Sequence, residues 1–245
     1  MPCLLSAHQP RARAAMRLDR LLSNLPAFSR SQARLLISQG QVQVNGQVCR
    51  DVTFAVRSFD DVEVAGQCLQ TGIAAKYLML NKPSGVVSAT VHDEHLTVLD
   101  LLPENLRHDL HIAGRLDLTT TGLLILTNDG LWSRRLTNPG SNLGKRYLVH
   151  TEQPITEQYI QRFAKGLYFA FEDLTTLPAQ LEILTPYSAY LTLHEGRYHQ
   201  VKRMFGHFQN KVIGLHREQM GPIVLDKTLK PGQWRYLSEA EIAAI

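Results

Sequence analysis

The 245-residue chain is predicted to be an α+β protein with two domains. A small helix-helix-hairpin domain comes first, and a larger, mixed and largely antiparallel α+β domain follows. Two observations predict this class. Two helical patterns and a hairpin pattern fill residues 16–67, and beyond them the predicted strands outnumber the helices and are mostly joined by short turns. Such connections favour an α+β domain over a doubly wound parallel sheet. We therefore divide the chain into a disordered extension (1–15), a first domain (16–67), a linker (68–75) and a second domain (76–245).

The composition is that of a globular chain with a mildly basic balance. Hydrophobic residues make up 44% and charged residues 20%, and the formal net charge is +4. No apolar run approaches the roughly 20 residues that a membrane span requires, and the first residues lack an apolar secretory core. We therefore expect a cytoplasmic, monomeric protein without a membrane partner. Three scattered cysteines are too few for a zinc site.

Two helices and a hairpin are predicted in the first domain. Leucines with helical spacing begin at Leu18, and Pro26 stops that pattern. Ser29 and Gln32 form a capping-box pattern at the start of a second helix, which is expected to end at Gly40. Residues 45–46, Asn-Gly, predict a hairpin turn, and residues 61–64 a further strand.

The second domain is predicted from alternating and helical patterns of apolar residues. Its expected strands cover residues 77–80, 123–127, 146–150, 181–184, 189–193 and 212–215. Its expected helices cover residues 155–165, 198–208 and 239–244, and residues 128–130 are expected to form a turn.

The first domain is rich in arginine. Residues 16–50 contain five arginines and a single acid, Asp19. Arg30 and Arg34 are four residues apart on the predicted second helix, so they share a face. That face is either an ordinary solvated surface or a contact for a polyanion, whose binding would release counterions.

The order of the motifs in this domain resembles the S4 RNA-binding domain. The motifs are Arg17-Leu18-Asp19, Ser29-Arg30-Ser31-Gln32-Ala33 and Val44-Asn45-Gly46. By this resemblance, Arg30 and Arg34 are expected to contact RNA phosphates, with Arg17 and Arg20 as further candidates.

The most informative segment covers residues 113–130, where glycines frame a loop that contains Arg115 and Asp117. By itself, an Arg-x-Asp loop is compatible with a structural ion pair, with capping of local backbone amides, or with opposite charges placed at a cleft. This segment resembles the catalytic motif of pseudouridine synthases, in the branch typified by the ribosomal small-subunit enzyme. It contains Gly-Arg-Leu-Asp at 114–117, Thr-x-Gly-Leu at 120–123 and Asn-Asp-Gly at 128–130. The essential aspartate of that family corresponds to Asp117.

The implied reaction suits a single carboxylate. It breaks the N1–C1′ glycosidic bond of uridine, rotates the uracil and joins C5 to C1′, so no atoms are lost and no cofactor or metal is expected. Positive charge develops at the sugar, as in glycoside hydrolysis. An ionised Asp117 can stabilise that charge, bond to the sugar or remove a ribose proton, and the sequence leaves these three roles open.

Two further motifs of the family follow the carboxylate segment. In Lys145-x-Tyr147, the tyrosine is either core packing or, by resemblance, the ring that stacks on the target base. The segment at residues 195–204 resembles Glu-Gly-Arg-x-His-Gln-Val-(Lys or Arg)-Arg-Met, whose basic residue pairs with the aspartate and corresponds to Lys202. His199 is either a general base or structural, and we favour the structural role.

The resemblance implies contacts with substrate as well as catalysis. The expected substrate-binding residues are Arg115, Lys145, Arg197 and Lys82, and Arg203 is expected to bind RNA. Lys82 belongs to an Asn-Lys-Pro-Ser-Gly turn, in which a purely structural role is an equal alternative.

The expected function is isomerisation of a uridine that is flipped out of ribosomal RNA. The resemblance implies 16S rRNA, as a precursor or an assembling small subunit. Three alternatives remain open. They are the same reaction on 23S rRNA, a non-catalytic RNA-binding factor for ribosome assembly, and a nucleoside or glycoside hydrolase, which usually needs a second carboxylate or a metal.

Overall fold

The computed structural model describes residues 15–245, and these residues form two compact units that divide between Ala75 and Lys76. The predicted extension therefore lies outside the described residues, apart from Ala15. Among the residues described, no helix is both long enough and apolar enough to cross a membrane.

From residue 15 onwards, the first unit contains two helices and six short strands. The helices are α1 (Leu18–Ser23) and α2 (Arg30–Ser38). The strands are β1 (Met16–Arg17), β2 (Val42–Val44), β3 (Gln47–Val48), β4 (Ala55–Val56), β5 (Val62–Val64) and β6 (Gln67–Gln70). Four of them form a sheet in the order β3-β2-β5-β6, and β1 pairs with β4. The two helices bury Leu18, Leu22, Ala33 and Ile37 in one core with the valines of the sheet.

The ends of α2 are set by the residues that its sequence predicts. The hydroxyl of Ser29 accepts a hydrogen bond from the Gln32 amide (3.3 Å), and the Gln32 side chain accepts one from the Ser29 amide (2.8 Å). At the other end, Gly40 has φ +75°, the left-handed conformation that glycine adopts without steric cost. The predicted capping box and glycine stop are both confirmed.

The predicted linker over residues 68–75 was wrong in its first part. Residues up to Gln70 belong to β6, which pairs with β5 and buries Leu69. The two strands are joined by Ala65 and Gly66, which both have positive φ. An alanine rarely adopts that conformation, so this turn lacked the Asn-Gly signal that identified the first hairpin.

The second unit contains five helices, one 3₁₀ turn and eleven strands within the described residues. The helices are α3 (Glu104–Arg107), α4 (Gly130–Thr137), α5 (Glu157–Ala164), α6 (Gln200–Gly206) and α7 (Glu239–Ala243), and the 3₁₀ turn is Pro139–Ser141. The strands are β7 (Tyr77–Lys82), β8 (His111–Ala113), β9 (Thr121–Thr127), β10 (Lys145–Thr151), β11 (Tyr168–Phe169), β12 (Leu174–Thr175), β13 (Gln180–Thr185), β14 (Ser188–Leu193), β15 (Val212–Met220), β16 (Ile223–Val224) and β17 (Trp234–Tyr236).

Nine of these strands form one sheet. Its main path is β13-β14-β10-β15-β9-β7-β17, with β8 paired to β9 and β16 paired to β15. The pair β9–β15 is parallel and the sheet's other strand pairs are antiparallel. The predicted α+β class, with a largely antiparallel sheet, is confirmed.

The central strands are buried on both faces. Leu124 and Leu126 of β9 pack into one core, whereas Leu123 and Ile125 pack into a second core on the opposite face. Because successive side chains of a strand point to opposite faces, burial on both sides explains why β9 reads as a continuous apolar run.

The predicted turn at residues 128–130 is the start of a helix that the sequence analysis missed. The Asp129 carboxylate accepts hydrogen bonds from the amides of Leu131 (3.0 Å) and Trp132 (3.1 Å), so it caps α4. The helix then buries Trp132. Its eight residues, with Gly130 first, were too few for the helical pattern to stand out from a turn signal.

Candidate active site

A cleft of about 490 Å³ brings together the three separate motifs of the second domain. We call it the Asp117 cleft. The predicted site residues that line it are Arg115, Asp117, Lys145, Tyr147, Arg197 and Lys202. Its volume lies within the range of pockets that bind small organic groups.

Asp117 lies in the loop between β8 and β9, and hydrogen bonds fix the main chain of that loop. The Ser88 hydroxyl donates to the carbonyl of Leu116 (2.7 Å) and accepts from the Leu116 amide (3.1 Å). Gly85 donates its amide to the carbonyl of Leu118 (2.9 Å). The loop is therefore built as a rigid support for the carboxylate rather than as a solvated connection.

Lys82, at the end of β7, also contacts the main chain of this loop. Its side chain is fully buried, and Nζ lies within hydrogen-bonding distance of four main-chain oxygens. Those oxygens belong to Pro83 (3.0 Å), Asp117 (3.1 Å), Leu118 (3.2 Å) and Thr120 (2.8 Å). The expected contact of Lys82 with substrate is wrong, because a fully buried ammonium group cannot reach RNA. The hydrogen bonds to the loop are those expected of the structural alternative.

Burial affects the pKa of Lys82. Desolvation lowers the pKa of its ammonium group to about 8, and the negative charge of Asp117 opposes that shift. At neutral pH the group is still protonated and can donate all three of its hydrogens to the loop.

Asp117 has two basic neighbours at the start of α6. Its Oδ2 atom lies 3.3 Å from Nζ of Lys202 and 3.5 Å from Nε2 of His199. Lys202 also donates to the Thr119 hydroxyl (3.2 Å), which keeps it beside the loop. The geometry thus places Lys202 as the counter-charge of Asp117, and it brings His199, expected to be structural, against the same carboxylate oxygen.

Arg115 does not pair with Asp117. It is exposed at the cleft and makes no hydrogen bond or ion pair with the described residues. The structural ion pair that the Arg-x-Asp spacing allowed is therefore not formed within this loop, and the guanidinium group remains available to a ligand.

Lys145 and Tyr147 are two residues apart on β10, so both side chains point to one face of the sheet. Both are largely covered, with 7% and 8% of their surface exposed. Desolvation, followed by the charge of Arg217, lowers the pKa of the Lys145 ammonium, whereas Glu195 raises it. Tyr147 therefore reaches the cleft as a fixed ring on a central strand.

Glu195 organises the turn that leads into α6, a role the sequence analysis did not assign. This buried carboxylate accepts hydrogen bonds from Arg197 Nε (2.8 Å), Gln200 Nε2 (2.7 Å) and the Leu177 amide (2.8 Å). Arg197 is thus held at the cleft with about a third of its side chain exposed. Buried charges need such partners, and the Glu-Gly-Arg-x-His-Gln motif supplies two of the three.

Arg203, an expected RNA contact, is tied to the β11–β12 hairpin. Its Nη1 and Nη2 atoms donate to the two carboxylate oxygens of Glu172 (2.5 and 2.6 Å). Its guanidinium also lies 3.7 Å over the ring of Phe169. These bonds occupy the donors that would otherwise face a phosphate, so the structure gives Arg203 a partner within the protein.

Arg217 on β15 is the main site residue that the sequence analysis missed. It is buried, and it donates from Nη2 to the carbonyl of Gly114 (2.7 Å), before Asp117, and from Nε to that of Leu123 (2.9 Å), in β9 after it. A side chain on Gly122 would place its Cβ atom 2.3 Å from the Arg217 carbonyl, so glycine permits this close parallel pairing. The sequence analysis ended this strand, β15, at residue 215, because the residues that follow are polar, and so it left Arg217 outside the sheet.

The arginines of the first unit differ in their pairing. Arg17 donates to both oxygens of Asp19 (3.1 and 2.9 Å), and Arg34 lies 3.5 Å from the same carboxylate. The hydrogen bond from Arg17 lowers the pKa of Asp19. Arg20 and Arg30 are exposed, and their guanidinium groups make no hydrogen bond or ion pair with the described residues.

Across residues 15–245, no group of three or more His, Cys, Asp and Glu side chains is arranged to hold a metal ion.

Two protein families match the sequence. The family described as RNA pseudouridylate synthase matches residues 76–207, and the S4 domain matches residues 16–62. The first match includes all the residues that line the Asp117 cleft except Leu215 and Arg217, and the second covers the arginines of the first unit.

Individual proteins match along most of the chain. A ribosomal small subunit pseudouridine synthase A from Pseudomonas aeruginosa is 61% identical over 94% of this chain and all of its own length. The protein of the same name from Escherichia coli is 44% identical over the same shares. A crystal structure of a pseudouridylate synthase matches 94% of this chain and 99% of its own, with a TM-score of 0.69 and 40% identity.

Proposed function

The chain belongs to the family of RNA pseudouridylate synthases, and we propose that it converts a uridine of small-subunit (16S) ribosomal RNA into pseudouridine. One observation carries the proposal. The Asp117 carboxylate, the Lys202 ammonium group 3.3 Å from it and the Tyr147 ring line a single cleft. The substrate follows from the relatives, which are named for the small ribosomal subunit and match both units of the chain.

Asp117 is the catalytic residue of the proposed reaction. When the N1–C1′ bond breaks, positive charge develops at C1′, and a carboxylate held beside the sugar stabilises that charge or bonds to it. Removal of a ribose proton by the same oxygen is the third possible role. Whichever role applies, the uracil is retained in the cleft and rotates, and C5 bonds to C1′. C5 then loses its proton and N1 gains one, so product and substrate contain the same atoms.

The other residues of the cleft bind the substrate or balance the charge of Asp117. Lys202 balances the charge of Asp117 in the free enzyme, and its hydrogen bond to Thr119 holds it there. Tyr147 supplies a flat face for the uracil, a contact that tolerates rotation of the base because stacking does not depend on a fixed hydrogen-bond pattern. Arg115, Lys145 and Arg197 provide positive charge around the phosphates or the base.

The uridine must leave its stack to react. Asp117 is recessed in the cleft, with 30% of its side chain exposed, and a carboxylate in such a position does not reach a nucleotide that is still stacked in a helix. We therefore propose that the target is flipped out of the RNA, and that the exposed arginines of the first unit contribute phosphate contacts.

Mapping of pseudouridine tests the proposal. Purified protein is incubated with unmodified 16S and 23S transcripts, free and in assembling particles, and the product is located by carbodiimide-based primer extension. We expect one new stop, in 16S rRNA. Asp117→Asn should lower the rate by more than about 10³-fold and leave RNA binding intact. The absence of a stop on every RNA would refute the proposed function, a stop in 23S rRNA alone would refute the substrate, and substantial activity of Asp117→Asn would refute the mechanism.

A further inference from the structure

We propose that Tyr198 stacks on the base that neighbours the reacting uridine, so that the Asp117 cleft has a second base-binding position. This inference rests on the proposed function. It concerns a residue for which the sequence motif predicts no role, since the motif tolerates any residue at that position.

Tyr198 differs from the other aromatic residue of the cleft. Both Tyr198 and Tyr147 line it, but the surface of Tyr198 is 75% exposed and that of Tyr147 only 8%. An isolated exposed aromatic residue is common on protein surfaces. Here the exposed ring is part of the wall of the cleft, where it meets the substrate rather than bulk solvent alone.

One face of the Tyr198 ring is already covered by a stacked partner. The rings of Tyr198 and His199 lie 3.9 Å apart between centroids and are 19° from parallel. His199 in turn lies 3.5 Å from the carboxylate of Asp117. The stacked pair therefore runs from the catalytic oxygen to the rim of the cleft, and the outer face of Tyr198 is left for a ligand.

The backbone holds this pair in place. His199 has φ +48°, a left-handed conformation that non-glycine residues adopt infrequently and that tends to occur at functional sites. The carbonyl of Tyr198 accepts a hydrogen bond from Arg203 Nη1 (3.4 Å), and Arg203 is fixed by Glu172. A ring on such a fixed turn can bind a base with little loss of conformational freedom.

The chemistry of the surroundings identifies the occupant as a nucleobase of the RNA. Arg115 lines the same cleft, is exposed and has no ion pair with the described residues, so it attracts a phosphodiester chain. Flipping one nucleotide out of a stack leaves the bases beside it without a partner on one face. An aromatic ring replaces that partner for any base, because every base has a π-face.

Coupling between Tyr198 and the neighbouring base provides the test. Wild-type enzyme, Tyr198→Ala and Tyr198→Phe are compared on a short RNA that spans the mapped uridine, and on two versions that lack the base on its 5′ or 3′ side. Tyr187→Ala is the matched control, because Tyr187 is a half-exposed tyrosine at the β13–β14 turn outside the cleft lining. We expect Tyr198→Ala to raise KM about tenfold on the intact RNA, with kcat unchanged, while Tyr198→Phe and Tyr187→Ala behave as wild type.

The abasic RNAs separate stacking from other effects. Removing one of the two neighbouring bases should raise KM of the wild-type enzyme to a similar extent and should not raise it further in Tyr198→Ala. Additive effects of the two changes, a normal KM for Tyr198→Ala, or a loss confined to kcat would overturn the inference. In each of these outcomes the wild-type enzyme still forms pseudouridine, so failure of the inference is distinct from failure of the proposed function.

Discussion

The Nζ atom of Lys82 lies 3.1 Å from the main-chain oxygen of Asp117, whose side chain is the proposed catalytic group. The ammonium group also reaches the carbonyls of Leu118 and Thr120, on the same loop. A buried cation thus holds the backbone of the loop that carries the carboxylate. The motif that contains Lys82 is far from Asp117 in the sequence, and we propose that it positions the carboxylate.

Replacement of Lys82 by methionine should destabilise the second unit. The substitution keeps an unbranched side chain but leaves three carbonyls of the loop without their donor, so we expect a loss of about 2–4 kcal/mol in the free energy of unfolding. Activity should also fall, because the loop is no longer held. The measurement is denaturant unfolding together with the rate of pseudouridine formation, with Lys227→Met, at an exposed lysine, as the control.

The pH dependence of stability should identify the Lys82 proton. Its pKa is about 8 in the folded protein and near 10.5 in the unfolded chain. Between these values the unfolded state holds a proton that the folded state has released, so the stability of the wild type, relative to Lys82→Met, should rise with pH across this window. Below pH 8 both states are protonated and the difference should be constant. A difference that stays flat from pH 7 to pH 10 would contradict the lowered pKa.

The rate of pseudouridine formation should depend more on the positive charge of residue 202 than on the shape of its side chain. We expect Lys202→Met to lower kcat by about 10²-fold, since it removes a donor that lies 3.3 Å from the catalytic carboxylate. Lys202→Arg should retain most of the activity, because a guanidinium group keeps the charge although its geometry differs. Single-turnover rates on 16S rRNA measure both variants, and Lys211→Met at an exposed lysine is the control. Wild-type rates for Lys202→Met would exclude Lys202 from catalysis.

The arginines of α2 should contribute to RNA affinity through phosphate contacts. Arg30→Ala combined with Arg34→Ala should weaken binding and reduce the slope of log K against log salt by about 0.7–0.9 for each phosphate contact that is lost. Arg57→Ala, at an exposed arginine of the same unit outside α2, is the control. Filter-binding titrations of the full-length protein at several salt concentrations provide the slopes. An unchanged slope would remove α2 from the RNA interface.

The sequence by itself determined the fold class, the two ends of α2 and the family to which the second domain belongs. These features depend on residues that are near one another in the chain. The Ser29–Gln32 capping box, the apolar run of β9 and the motif around Asp117 each express local backbone preferences or local side-chain chemistry. The sequence also suggested that Lys202 belongs beside Asp117, through resemblance rather than through spacing.

The tertiary structure decided what the charged residues do. Lys82, Arg203 and Arg217 are all basic and all lie near the site, yet Lys82 holds the loop that carries Asp117, Arg203 pairs with Glu172 and Arg217 donates to two main-chain carbonyls. Whether a basic side chain faces RNA or a main-chain carbonyl depends on its burial and on partners that are distant in the sequence. Its burial and its partners are set only when the strands of the sheet pack together.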